Sequence, residues 1–142
     1  MTVKTETNFY KNLKRCLESG PEKYIITRIE SYVTPGFPDC LIFHKDLGFF
    51  TLELKVVRRN KKGVGKVLIS PLQHAWNILH FNADAPVFIL VYDPGRGSTK
   101  LFSCAKLLEL RNKDYDSVAG ALWTGVMGPG FASELPKLLK LP

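Results

Sequence analysis

The chain has 142 residues, a hydrophobic fraction of 45% and a formal net charge of +7. Its length predicts one domain over residues 1–142 with a substantial core, and no apolar run is long enough to cross a membrane. The polar, charged N-terminal stretch lacks the apolar segment of an export signal, so we expect a cytoplasmic protein with no membrane partner. The excess of Lys and Arg favours an anionic partner such as nucleic acid.

The first part of the chain predicts one helix and three strands. Residues 5–19 carry apolar residues at helical spacing, and Gly20 with Pro21 ends that pattern. Residues 24–33 are rich in β-branched and aromatic residues, which indicates a strand. Residues 39–43 and 49–57 are two apolar runs joined by a short turn, which predicts an antiparallel pair.

A second helix is predicted to begin after Ser70. Pro71 suits the first helical position, and Gln73 lies three residues beyond Ser70, as in a capping box. Residues 86–92 are almost entirely apolar, which is typical of a strand covered on both faces.

The order of these elements predicts an α/β fold with a central mixed sheet flanked by helices, built mainly from residues 5–92. In the C-terminal extension, 93–142, residues 101–103 predict a short edge strand and residues 105–111 a short helix. Residues 117–142 contain enough apolar side chains either to form a homodimer interface or to cap the core.

The chemistry of the sequence is concentrated around Glu53-Leu54-Lys55. In a strand, Glu53 and Lys55 project from one face while Leu54 turns into the core. Such a pair could be a simple solvated ion pair, but Pro38-Asp39 begins the preceding strand. Antiparallel pairing would bring Asp39 close to Glu53, and neighbouring carboxylates usually persist around a cation or a shared proton. Oxygen ligands, including the Leu54 carbonyl, suit Mg²⁺ or Mn²⁺.

The ordered set Gly36-Phe37-Pro38-Asp39, Glu53-Leu54-Lys55 and Ser70-x-x-Gln73-x-x-Trp76 resembles the signature of the PD-(D/E)XK nuclease superfamily. It is similar to the VRR-Nuc branch and to small phage and archaeal Holliday-junction resolvases. The resemblance implies a restriction-endonuclease-like core and Mg²⁺-dependent DNA cleavage, with Mn²⁺ able to substitute. It also implies that Asp39 and Glu53 bind the metal, while Lys55 holds or activates the attacking water and stabilises charge on the phosphate.

Enzymes of this superfamily usually add a glutamate from the first helix, and two residues compete for that role. Glu6 lies in the first turn on the stripe of Phe9, although a helix dipole alone would favour a carboxylate there. Glu30 is the rival, because Arg28-x-Glu30 resembles an Arg-x-Glu of some phage relatives. Arg28 would then meet a phosphate, or the two residues would form an internal ion pair.

Gln73 has two compatible interpretations, a catalytic neighbour of the site and a capping residue of the second helix. Trp76 favours core packing over base stacking. The loop after Lys55 is basic and contains Gly63 and Gly65, which would let it adapt to a substrate. It is either a solvated surface or a salt-sensitive, sequence-independent DNA contact. Its cations are Arg58, Arg59, Lys61, Lys62 and Lys66.

We therefore expect a metal-dependent DNA endonuclease of phage or bacterial type. The resemblance favours branched or double-stranded DNA, such as a Holliday junction, whose symmetric cutting requires a twofold dimer. A flap, nicking or restriction-type nuclease is one alternative. A catalytically silent nucleic-acid-binding module of the same fold is the other.

Overall fold

The computed structural model of the protein describes residues 2–30 and 35–139. The helices and strands are α1 (Thr2–Glu18), β1 (Tyr24–Arg28), β2 (Cys40–His44), β3 (Gly48–Val56), β4 (Arg58–Arg59), β5 (Gly65–Lys66), α2 (Pro71–Asn82), β6 (Val87–Asp93), β7 (Ser98–Ser103), α3 (Leu107–Asn112), β8 (Trp123–Gly125) and α4 (Pro129–Leu138). Within the described residues the main sheet has the strand order β1-β2-β3-β6-β7-β8, and a separate two-stranded hairpin pairs β4 with β5.

The sheet is mixed. Strands β3 and β6 run parallel, and the other neighbouring pairs run antiparallel. The parallel pair needs a crossover, which α2 provides, as expected for a helix between two parallel strands. The structure thus confirms the predicted α/β class with a mixed sheet and flanking helices.

The two faces of the sheet bury separate cores. The face covered by α1 and α4, here the α1/α4 face, includes Leu52, Leu54 and Val56 of β3. The opposite face, here the α2/α3 face, includes Ile89 of β6 and Phe102 of β7. The alternation predicted for β3 is confirmed, because Leu54 turns into the α1/α4 core. Strand geometry then directs Glu53 and Lys55 to the α2/α3 face, where the parallel register aligns Glu53 with Ile89.

Several element boundaries differ from the sequence prediction. Strand β1 ends at Arg28 rather than at residue 33, and the last part of that prediction, residues 31–33, lies outside the described part of the chain. Helix α1 begins at Thr2 instead of residue 5. The hydrophobic pattern locates elements well, but helix and strand ends depend on capping and pairing.

The C-terminal extension contributes to the core. Strand β7 was predicted as an edge strand over 101–103, but it spans Ser98–Ser103 and lies inside the sheet because β8 pairs with its outer edge. Phe131 and Leu135 of α4 are fully buried in the α1/α4 core. Capping of the core is therefore the role that the structure supports for this segment.

Helix α2 begins as predicted. The Ser70 hydroxyl accepts a hydrogen bond from the backbone N–H of Gln73 at 3.1 Å, and the Ser70 N–H donates to the Gln73 side chain at 3.0 Å. This reciprocal pair satisfies two backbone donors that a helix start leaves free. Among residues 2–30 and 35–139, no helix is long and apolar enough to cross a membrane.

Candidate active site

The two predicted acidic ligands meet at one end of the β2–β3 pair. Cys40 is paired with Leu52 in antiparallel register, so the preceding residue, Asp39, comes level with Glu53 on the α2/α3 face. One Asp39 carboxylate oxygen accepts a hydrogen bond from the Leu54 backbone N–H at 2.8 Å. The backbone of β3 therefore fixes Asp39 beside Glu53.

Glu53 is fully buried. Burial raises the pKa of its carboxyl well above the usual range, and the neighbouring Asp39 carboxylate raises it further. Neither Glu53 oxygen receives a hydrogen bond from a donor within the described residues. Since an isolated buried carboxylate is strongly unfavourable, the arrangement favours either a proton or a cation between the two acids.

Lys55 is the cation of this site. Its charge lowers the pKa of Glu53, opposing the effect of burial. Its ammonium group donates a hydrogen bond of 2.9 Å to the side-chain oxygen of Gln73, the same oxygen that accepts from the Ser70 N–H. The Gln73 side chain therefore caps α2 and contacts Lys55 through the same oxygen, and its catalytic role stays a prediction.

The Gly36-Phe37-Pro38-Asp39 segment is docked against the start of α2. Gly36 has a φ of +90°, and a Cβ atom there would lie 2.4 Å from the backbone oxygen of Leu72. The Phe37 ring packs against Trp76 with centroids 4.9 Å apart. The close approach requires glycine, and Trp76 has the packing role expected of it. The three sequence motifs thus converge on one place in the fold.

Sequence reasoning missed several neighbours of the acidic pair. Thr51 lies two residues before Glu53 on the same strand face, and its buried hydroxyl has no hydrogen-bond partner among the described residues. Strand alternation could have identified it. Asn77 is fully buried, and its side chain bonds the Gln73 backbone oxygen at 2.9 Å. Burial first, and then the charge of Glu53, raise the pKa of Cys104 to about 12.

The donor set fits a hard divalent ion. Asp39 and Glu53 supply carboxylate oxygens, and the Leu54 carbonyl belongs to the same strand segment. In the part of the chain that the structure describes, no three or more His, Cys, Asp or Glu side chains form a metal-binding group. Mg²⁺ commonly binds through one or two carboxylates while keeping waters and substrate oxygens, so two acids suffice for it.

The two candidates for a third acid differ in environment. The charge of Glu6 raises the pKa of Glu53, so Glu6 is electrostatically coupled to the site. Glu30 pairs instead with Arg28 at 3.9 Å, and its side chain is 70% exposed. Arg28 is level with Cys40 in the register, and its guanidinium lies 5.0 Å from the Tyr10 ring centroid. Arg28 and Glu30 therefore fit the internal ion pair better than contact with the acidic site.

The basic loop forms the two-stranded β4–β5 hairpin, and its adaptability to a substrate stays a prediction. Four of its cations are exposed: Arg58, Lys61, Lys62 and Lys66. Arg59 differs, because its guanidinium contacts the carboxylates of Asp93 and Asp116. A direct phosphate contact by Arg59 would have to replace these ion pairs.

Comparison of the chain with models of known protein families, with curated proteins and with solved structures finds no match. The likeness to the PD-(D/E)XK signature therefore depends on the residues quoted above. The geometry of Asp39, Glu53, Lys55 and Gln73 is a separate observation, which any account of the function has to explain.

Proposed function

We propose that this chain is a Mg²⁺-dependent endonuclease that hydrolyses phosphodiester bonds in DNA, with Mn²⁺ able to replace Mg²⁺. The observation that carries the proposal is the buried carboxylate of Glu53. It has Asp39 beside it, Lys55 on the same face, and no hydrogen-bond donor in the described residues. A buried glutamate beside a second carboxylate costs stability, which makes a functional role the best explanation of its presence.

Asp39 and Glu53 would hold the ion, with the Leu54 carbonyl as a further oxygen ligand. When bound, a divalent ion lowers the pKa of a water molecule and polarises a phosphoryl oxygen. The hydrogen bond from Leu54 N–H already orients Asp39 before any ion arrives. Preorganisation of this kind avoids rearranging the ligands during the reaction.

Lys55 would stabilise the charge that develops on the phosphate and orient the attacking water. Hydrolysis forms a P–O bond from water and breaks the P–O bond to the departing sugar oxygen, so negative charge builds at the phosphoryl group. The bond to Gln73 fixes the ammonium group, and the capping box fixes Gln73 in turn. This chain of contacts explains a polar residue at the third position of α2.

The substrate is proposed to be branched DNA, with the four-way junction as the leading candidate. The resemblance to Holliday-junction resolvases supports this choice, and symmetric cutting would then require two copies of the chain. A flap or nicking activity would use the same site on another substrate. A silent binding module would leave the buried Glu53 carboxylate and its acidic neighbour Asp39 unexplained, so we rank it lowest.

The test incubates the protein with four-way, flap and linear DNA in Mg²⁺, Mn²⁺ or EDTA. We expect metal-dependent cutting of the junction, and at least about a hundredfold slower cutting by the Asp39→Asn and Lys55→Ala variants, since each loses a group acting on the reacting phosphate. Asp46→Asn is the matched control, because Asp46 is an exposed aspartate in the turn that follows β2. Binding without cutting, or cutting that survives EDTA, would contradict the proposal.

A further inference from the structure

The β4–β5 hairpin projects from the candidate site. Its first residue, Arg58, lies three positions after Lys55, and its last, Lys66, lies seven positions before Gln73. The chain leaves the site along one strand and returns to it, because Lys55 and Gln73 are hydrogen-bonded at 2.9 Å. The segment that contains the hairpin therefore begins and ends at residues that would act on the phosphate.

The hairpin turn has a defined internal structure. The Asn60 side-chain oxygen accepts hydrogen bonds from the backbone N–H groups of Lys62 and Val64, at 2.9 and 3.0 Å. Gly63 has a φ of +82°, and its N–H donates to the Asn60 backbone oxygen at 3.0 Å. Asparagine and glycine at these positions are typical of a tight turn that closes a hairpin. The turn thus holds Lys61 and Lys62 at its tip.

Arg59 ties the hairpin to the body of the protein. Its guanidinium donates to Asp93 at 2.6 Å and makes a two-pronged contact with Asp116 at 2.9 and 3.0 Å. It also donates to the backbone oxygen of Gly63 at 2.8 Å, across the hairpin. A second link runs from the Gly65 N–H to the Asp114 carboxylate at 3.0 Å. Residues of the C-terminal extension therefore hold both strands of the hairpin.

The other hairpin cations are free to meet a ligand. Arg58, Lys61, Lys62 and Lys66 are all exposed, and none of them pairs with an acid within residues 2–30 and 35–139. Four exposed positive charges on one small hairpin are able to neutralise phosphates of a DNA duplex.

We propose that Arg59 and Asp116 form a latch that holds the hairpin as a preformed phosphate-binding arm for a DNA duplex next to the scissile bond. Arg59 is thus a positioning residue, and the contacts to DNA are made by its exposed neighbours. The inference rests on the proposed nuclease function and specifies a double-stranded segment beside the cut. A fixed array of cations binds more tightly than a mobile one, because less side-chain and loop freedom is lost on binding.

The Asp116→Asn variant separates the latch from simple electrostatics. It removes a negative charge, raising the formal net charge of +7 by one, so charge attraction alone predicts tighter DNA binding. The latch predicts the opposite, about two- to tenfold weaker binding, because the hairpin must be ordered when DNA binds. The measurement is the fluorescence anisotropy of a labelled blunt duplex in EDTA, where the substrate stays intact, over a range of salt concentrations.

Three further variants complete the test. Asp116→Glu keeps a carboxylate and is expected to recover binding. Lys62→Ala removes a direct contact, so the slope of log K against log salt should become shallower by about one. Lys137→Ala removes an exposed charge on α4 and should leave affinity within about twofold, because charges beyond a Debye length are screened.

An Asp116→Asn variant that binds the duplex as tightly as the wild type, or more tightly, overturns the latch. A wild-type protein that does not bind the duplex overturns it as well. The proposed function is tested separately, because a wild type that binds DNA but does not cut it in Mg²⁺ contradicts the nuclease activity. The latch is then still tested by the ratio of the variant and wild-type affinities. Thermal unfolding of each variant confirms that the affinities compare folded proteins.

Discussion

The two faces of the central sheet are built on different principles, and β3 shows the contrast within one strand. On the α1/α4 face, Leu52, Leu54 and Val56 are buried in the apolar core. On the α2/α3 face, the intervening positions are Thr51, Glu53 and Lys55, and two of them bury polar atoms without partners in the described residues. One face of β3 thus buries apolar side chains, while the other buries polar groups at a cost in stability.

The largest expected change is a loss of stability on the α1/α4 face. Leu52→Ala should lower the free energy of unfolding by about 2 to 5 kcal/mol, because it removes a fully buried side chain and leaves a cavity. The turnover of the protein that remains folded should change little, because the Leu52 side chain points away from the site. Urea unfolding and a cleavage assay below the unfolding transition measure the two quantities. A large loss of turnover in folded protein would show that the two faces are not independent.

A smaller effect, on the free energy of unfolding and on turnover together, is expected where the Gly36-Phe37-Pro38-Asp39 segment meets α2. Gly36→Ala would place a Cβ atom 2.4 Å from the Leu72 oxygen at a φ of +90°, so we predict a loss of about 1 to 3 kcal/mol. The same shift should displace Asp39 and slow cleavage. Gly130→Ala is the control, because a Cβ atom at Gly130 has open space. Normal turnover in Gly36→Ala would show that the close contact does not position Asp39.

The smallest expected change is a gain in stability rather than a loss. Without metal, Glu53→Gln should stabilise the protein by about 1 to 2 kcal/mol at neutral pH, because the variant buries no charge. The raised pKa of Glu53 determines how the stability of the metal-free wild type depends on pH. Metal-free wild type loses stability as pH rises from the usual glutamate pKa, about 4.3, through the raised value of the folded state. The advantage of Glu53→Gln should therefore grow from pH 5 to pH 8.

Unfolding in EDTA at those two pH values measures this advantage, with Glu134→Gln as an exposed-glutamate control on α4. Added Mg²⁺ should stabilise wild type and not Glu53→Gln, since an ion that binds only the folded state shifts the equilibrium toward it. If Glu53→Gln is less stable than the wild type at pH 8 in EDTA, burial of the Glu53 carboxylate does not destabilise the folded protein, and the prediction is wrong.

Local sequence patterns predicted much of this molecule. Alternation along β3 predicted the face shared by Glu53 and Lys55, and Ser70 with Gln73 predicted the start of α2, because both depend on neighbouring residues. The antiparallel pairing of β2 with β3 then brought Asp39 beside Glu53. These are the features on which the candidate site depends.

Contacts between distant residues were not predictable in this way. The ion pairs of Arg59 join it to Asp93 and Asp116, which are far along the chain, so the composition of the basic loop did not predict these contacts. The pairing of β8 with β7 was missed because three residues carry too little periodicity. The burial of Asn77 beside the site likewise depends on how α2 packs on the sheet.

The central claim is that Asp39 and Glu53 together bind one divalent ion beside Lys55. A crystal structure of the protein with Mn²⁺, using anomalous diffraction to locate the ion, tests it most directly. We predict a Mn²⁺ peak bonded to both carboxylates at about 2.0 to 2.3 Å, in the range of Mg²⁺–oxygen bonds and slightly longer. A peak that avoids both carboxylates, or no peak near them at saturating Mn²⁺, would contradict the account.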